Sequence, residues 1–147
     1  MDIRIVKATA ADGEAVARLV RELAASSDEE SRVDAAYVGR YLAFPGRTVL
    51  LAEAGDERVG FLAFSLNPNL WHAKDGCLVE DLFVRPACRG KGVGRALVAH
   101  VMAEAARQGW AEVSVSTGRE NKTALSLYRG LGLDEEHVLL EKHFPGA

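Results

Sequence analysis

The residue pattern points to a single mixed α/β domain. Strand-sized apolar runs alternate with amphipathic helical stretches along the whole chain, and no repeat or linker interrupts them. A length of 147 residues is enough to bury one core without disulfide or metal staples. One domain over residues 1–147 is therefore expected, a mixed central sheet with elements in the order β-α-α-β-β-β-α-β-α-β.

Ile3, Ile5 and Val6 make a first strand. Thr9-Ala10-Ala11-Asp12 is a capping-box variant that opens a helix, and Val16, Leu19, Val20 and Leu23 then recur at helical spacing. The polar, acidic stretch 26–32 reads as a loop before a second helix carrying Tyr37, Val38, Tyr41 and Leu42, which Pro45-Gly46 ends. Residues 48–53 and 58–66 are β-rich and joined by Ala54-Gly55-Asp56-Glu57, an antiparallel hairpin that Asn67-Pro68-Asn69 closes.

After a loop with Trp71 and His72, residues 77–84 are apolar on both alternating faces, the mark of a strand covered on both sides; Pro86 stops it. Val93, Leu97, Val98, Val101, Met102 and Ala105 then give a strong amphipathic helix over 92–107, with Gly109 as its C-terminal stop. Val113, Val115 and Thr117 alternate as another strand, Asn121 caps a short helix through Leu131, and residues 138–144 make a last strand.

Composition narrows the functions. A formal charge of −3 argues against nucleic acid as the main partner, because neutralising phosphates calls for a clustered basic surface. No apolar run approaches the roughly 18 residues of a membrane span, and Met1-Asp2-Ile3-Arg4 lacks a basic, apolar leader, so a cytoplasmic protein is expected. Cys77 and Cys88 suit that compartment as free thiols. His72, His100, His137 and His143 show no ligand spacing, so no metal is expected.

The informative stretch is Arg89-Gly90-Lys91-Gly92-Val93-Gly94, set between the doubly covered strand and the amphipathic helix. Glycines let a backbone approach a ligand closely, and the first amides of a helix offer free N–H groups and a positive dipole end to an anion. With Arg89 and Lys91 adding charge, the segment reads as a pyrophosphate cradle. A dinucleotide fingerprint fails, because its last glycine falls on Arg95 or Leu97; a P-loop fails, because its first glycine falls on Arg85.

The pattern Arg/Gln-x-x-Gly-x-Gly/Ala is met by Arg89, Gly92 and Gly94, and a second run follows as Asn121-Lys122-Thr123-Ala124-Leu125-Ser126-Leu127-Tyr128 with Gly132. On these two motifs and the element order, the chain resembles the GNAT family of N-acetyltransferases over nearly its whole length. The resemblance implies an enzyme using acetyl-coenzyme A as co-substrate, and a bulged strand splayed from the next to open the cofactor cleft. It implies that the amides around Leu82, Phe83 and Val84 pair with the pantetheine arm. Arg89, Gly90, Lys91, Gly92, Val93 and Gly94 would hold the pyrophosphate, and Asn121 and Tyr128 would reach the cofactor from the short helix. It further implies Tyr128 as the acid that protonates the coenzyme thiolate, and a homodimer.

The chemistry sets its own demand. An alkyl ammonium has a pKa of about 10.4, so only a few parts in ten thousand, roughly, are nucleophilic amine at pH 7. Glu80 and Asp81 interrupt an otherwise apolar strand, and simple alternation places them on opposite faces. Leu78-Val79-Glu80-Asp81-Leu82-Phe83-Val84 resembles the polyamine and diamine acetyltransferase branch, where a glutamate at the position of Glu80 serves the substrate amine directly or through water. Glu80 is thus the expected catalytic base or amine anchor, and a small-molecule primary amine the expected acceptor. A protein or peptide amine, or a non-catalytic acyl-CoA sensor, are the alternatives.

Overall fold

The computed structural model describes residues 1–146. Its elements are β1 (Ile3–Lys7), α1 (Gly13–Ser26), α2 (Ala35–Ala43), β2 (Arg47–Ala54), β3 (Glu57–Asn69), β4 (Lys74–Val84), α3 (Val93–Gln108), β5 (Val113–Val115) and α4 (Lys122–Gly130). The strands lie in the spatial order β1-β2-β3-β4-β5. The first four pair antiparallel, and β5 joins β4 in parallel, so the sheet is mixed and open.

Alternation along the strands divides the core into two layers. Leu50, Ala52, Leu62, Phe64, Cys77 and Val79 face α3 and α4, where Val93, Leu97, Val98, Val101 and Tyr128 meet them. Val49, Leu51, Phe61, Ala63 and Phe83 face α1 and α2, against Val16, Leu19 and Val38. Full burial of such a side chain contributes about 1.5–3 kcal/mol, so both faces of β2, β3 and β4 hold the domain together. The helix ends follow local chemistry. Asp12 Oδ2 accepts from the Thr9 N–H at 2.8 Å ahead of α1, and Asp34 Oδ1 accepts from the Tyr37 N–H at 2.8 Å to cap α2. Gly109 closes α3 in the left-handed region, at φ 72°.

The element order expected from the sequence is realised with two corrections. Asn67-Pro68-Asn69 does not close the hairpin: β3 continues through these residues and pairs with β4 down to Asn69 opposite Lys74. Proline is tolerated because β2 ends its pairing at Ser65, which leaves Pro68 with β4 on one side only. The last expected strand, 138–144, does not form. From Asp134 onward no backbone group bonds to the backbone of another element among the described residues, and Val138 and Leu140 are 80% and 88% exposed. Its apolar composition signals β-propensity, but a strand exists only where a neighbouring backbone accepts it. The two cysteines are free as expected, and burial pushes the Cys77 thiol up to about 12. No helix among the described residues is long and apolar enough to cross a membrane.

At Gly60 the backbone of β4 leaves no room for a side chain on β3. A Cβ placed there would lie 2.6 Å from the carbonyl oxygen of Phe83, so any side chain forces the two strands apart. Gly60→Ala is expected to destabilise the fold by about 1–3 kcal/mol, the usual cost of overpacking, as a lowered urea midpoint. An unchanged midpoint would show that the strands yield there without strain.

Candidate active site

The site begins at a fault in strand pairing. β3 and β4 pair regularly up to Phe64 opposite Val79 and resume at Ala63 opposite Asp81, so Glu80 has no partner. The extra residue resets the alternation. Cys77 and Val79 point toward α3, as do Leu82 and Val84, while Phe83 points toward α1 and α2. Glu80 and Asp81 therefore face the same side, correcting the opposite-face expectation, and both line one cavity. Simple alternation fails there because a bulge changes the count by one.

That cavity has a volume of about 580 Å³. Its walls are apolar, with Val16, Val38, Val49 and Phe61 among them, and Arg32 and Asp34 add charge from the segment leading into α2. Tyr41 of α2 donates its hydroxyl to Glu80 Oε1 at 2.6 Å. Burial, and then this bond to a carboxylate, hold the Tyr41 phenol well above its ordinary pKa. Burial, with the charge of Glu80 beside it, raises the Asp81 carboxyl.

On its other edge β4 is open. β5 pairs only with Cys77, Leu78 and Val79, so no strand covers that edge from Glu80 to Val84 among the described residues. Leu82, Phe83 and Val84 lie along this uncovered edge. The Phe83 side chain is buried and those of Leu82 and Val84 pack partly into the core, so the backbone is what this edge offers.

The glycine-rich loop stands at the end of the same edge. Gly90 and Gly92 adopt φ of 75° and 85°, and Gly92 precedes the first turn of α3. Backbone N–H groups from Gly90 through Arg95 find no acceptor among the described residues; Ala96 is the first of α3 to do so, on Gly92 O at 2.9 Å. A Cβ on Gly90 or Gly92 would meet nothing within 4 Å, so the loop faces open space. Gly94 differs, for a Cβ there would sit 3.6 Å from Leu127 of α4, in ordinary contact rather than in open space. Lys91 is exposed, and Val93 is buried as the anchor of the helix start. Arg89 folds back, with Nε donating to Val84 O at 2.9 Å and its guanidinium over the Phe83 ring. An unsatisfied, positively polarised helix start of this kind suits an anionic group such as a pyrophosphate.

Asn121 caps α4 through its side-chain oxygen, on the Ala124 N–H at 3.2 Å, which leaves its NH₂ group free. Tyr128 packs its ring into the α3-side core at 7% exposure. Its hydroxyl makes no hydrogen bond to another described residue, yet it is not sealed from solvent, so it can donate to a ligand. Burial raises this phenol as well. Glu80 and Tyr128 belong to opposite faces of the sheet, and between them lies the stretch of β4 that β5 leaves uncovered.

Sequence reasoning missed Tyr41, because on a short helix it could not be told from the apolar residues around it. His72 lies at the exposed tip between β3 and β4, away from the cavity, and the acidic run 28–30 also stays out of its walls. Among the described residues no cluster of side chains has the makings of a metal site.

The chain belongs to the acetyltransferase (GNAT) family, whose model matches residues 15–133. It is similar to the mycothiol acetyltransferase of a Nocardioides species, 28% identical over 92% of this chain and 52% of that protein. It is also similar to bovine thialysine N-epsilon-acetyltransferase, 26% identical over 82% of this chain and 77% of that protein. The chain spans about half the length of the first curated relatives it matches, 40% and 52% of them. An aminoglycoside acetyltransferase from an uncultured soil metagenomic sample shares the fold, with a TM-score of 0.84 at 20% identity over 97% of this chain and 95% of that one.

Two outcomes follow from the geometry. Gly92→Val imposes about 1–2 kcal/mol of left-handed strain and fills the open cradle. The parent is expected to gain melting temperature with coenzyme A and the folded variant to lose that gain; a gain equal to the parent's would remove the loop from the binding site. The raised Asp81 carboxyl is protonated more readily in the folded chain, so its favourable contribution holds below the ordinary carboxylate range and is lost as the pH rises through the raised value. Asp81→Asn should therefore raise the melting temperature at neutral pH, with the gain vanishing below about pH 4. A gain of equal size at both pH values would contradict this account.

Proposed function

We propose that this protein is an N-acetyltransferase that moves the acetyl group of acetyl-coenzyme A onto a primary amine of a small molecule seated beside Glu80 and Asp81. The observation that carries the reading is the uncovered edge of β4, which runs from the carboxylate-lined cavity to the unsatisfied N–H groups of the loop before α3.

The residues present fit the co-substrate. The amides from Gly90 to Arg95 would bind its pyrophosphate, the backbone of Leu82, Phe83 and Val84 its pantetheine arm, and the free amide of Asn121 would add a donor from α4. When bound, acetyl-coenzyme A supplies the activated carbonyl that the amine attacks. Glu80 would accept the proton the acceptor must lose, directly or through water, and positioned proton transfer of this kind contributes about 10²–10⁴-fold. Tyr128 would donate to the sulfur as it leaves. A phenol keeps its proton at neutral pH, so Tyr128 is in the form that can donate.

Two carboxylates in one largely apolar cavity favour an acceptor that combines a cationic amine with an aliphatic body, as in a diamine, a polyamine or a lysine-like side chain. The thialysine-acetylating relative, similar over most of this chain, supports that class.

The test is thiol release from acetyl-coenzyme A across a panel of diamines, polyamines, lysine analogues, aminoglycosides and peptides. With the best amine, Tyr128→Phe should lower kcat about a hundredfold while coenzyme A affinity stays within a few-fold. Glu80→Gln should be slow at neutral pH and partly recover at high pH, where more amine is already neutral. A stable Tyr128→Phe protein at full rate would discard the acid, and a Glu80→Gln protein at full rate the base.

A further inference from the structure

We propose that Tyr41 is a positioning residue for Glu80: from α2 its hydroxyl holds one carboxylate oxygen of the bulged glutamate and leaves the other to the acceptor amine. The inference rests on the reading of Glu80 as the base.

The geometry is specific to the bulge. Glu80 has no cross-strand partner, so β3 does nothing to fix where its side chain points. Its hydrogen bond with a described residue comes from Tyr41, at 2.6 Å to Oε1, and none reaches Oε2. The same hydroxyl lies 3.4 Å from the carbonyl oxygen of Phe64, the residue at which β3 enters the irregularity. One hydroxyl proton serves one acceptor, and the shorter contact to a charged oxygen takes it. Tyr41 is thus tied to the bulge of β4 through Glu80 and lies beside the Phe64 carbonyl of β3.

The surroundings make this contact matter. Asp81 on β4, Asp34 at the start of α2, Arg32 before it and Arg47 on β2 are the charged groups that face this end of the cavity; α1 and β3 contribute Val16, Val20, Phe61 and Ala63 to its walls. Neither arginine has a carboxylate within salt-bridge distance among the described residues, so Glu80 depends on the phenol for its orientation. Burial and the carboxylate together keep the Tyr41 proton in place, so it remains a donor throughout the working pH range. Precise placement of a proton acceptor is worth one or more orders of magnitude in rate, because the proton must be within hydrogen-bond reach as the amine attacks.

Tyr41→Phe removes the hydroxyl and keeps the ring. With the best amine, kcat should fall about tenfold, while the KM for acetyl-coenzyme A and the melting temperature stay close to those of the parent. In a Glu80→Gln background the same change should cost nothing more, since no base remains to be oriented. The carbon-13 NMR resonance of the Glu80 side-chain carboxyl at neutral pH, free of substrate, should shift in Tyr41→Phe, which reads the contact apart from activity. An unchanged rate would overturn the proposal, as would an equal loss in both backgrounds or an unmoved carboxyl resonance. A Glu80→Gln protein with full activity is a different result: it removes the base itself and leaves the NMR shift to decide the contact alone.

Discussion

At Glu80, β4 carries one residue more than β3 can pair, and the rest of the site depends on that excess. Without it, Asp81 would turn toward α3, and a carboxylate would sit among Val93, Leu97 and Val98, where burial without a partner costs several kcal/mol, roughly. With it, both acids open onto the α1 and α2 side, and the strand continues in register to Val84. The neighbouring strand makes a matching concession: β5 follows β4 for three residue pairs and then leaves it. The sheet thus gives up hydrogen bonds on both flanks of the same short stretch. Backbone groups left unpaired at such an open edge are satisfied by water or by a ligand that pairs with the strand.

Most of the fold was legible in the sequence because its signals are local. Periodicity located all four helices and the first five strands, with ends marked by Pro45, Gly92, Gly109 and Asn121. The loop before α3 was legible for a similar reason. Three glycines beside basic residues between a strand and a helix have few structural uses, and left-handed φ at Gly90 and Gly92 is one that only glycine adopts freely. What escaped was non-local. A bulge is a relation between two strands, so no window of sequence containing Glu80 reveals that Ala63 and Phe64 skip it. Tyr41 acquires its partner from a residue 39 positions away. Residues 138–144 have the composition of a strand and lack the neighbour that would make them one.

The two sides of the site differ in what they use. The side toward α3 offers backbone: unpaired amides, an open strand edge and glycines, features that depend little on side-chain identity. The side toward α1 and α2 offers side chains, with Val16, Val38 and Phe61 as walls and Glu80, Asp81 and Tyr41 at one end. Proteins named for mycothiol and thialysine are similar to this chain at 28% and 26% identity, and one named for aminoglycosides shares its fold; a fold of this kind does not by itself fix what is bound.

The two core layers lie on opposite faces of the sheet and share no residue. Substitutions made in one layer find few common neighbours in the other, so their free energies should add rather than couple. The sheet works as a partition. A lineage could exchange the residues beneath α1 and α2 one at a time while the layer beneath α3 and α4 stays intact. Stability lost on one side could be recovered on the other without undoing the change.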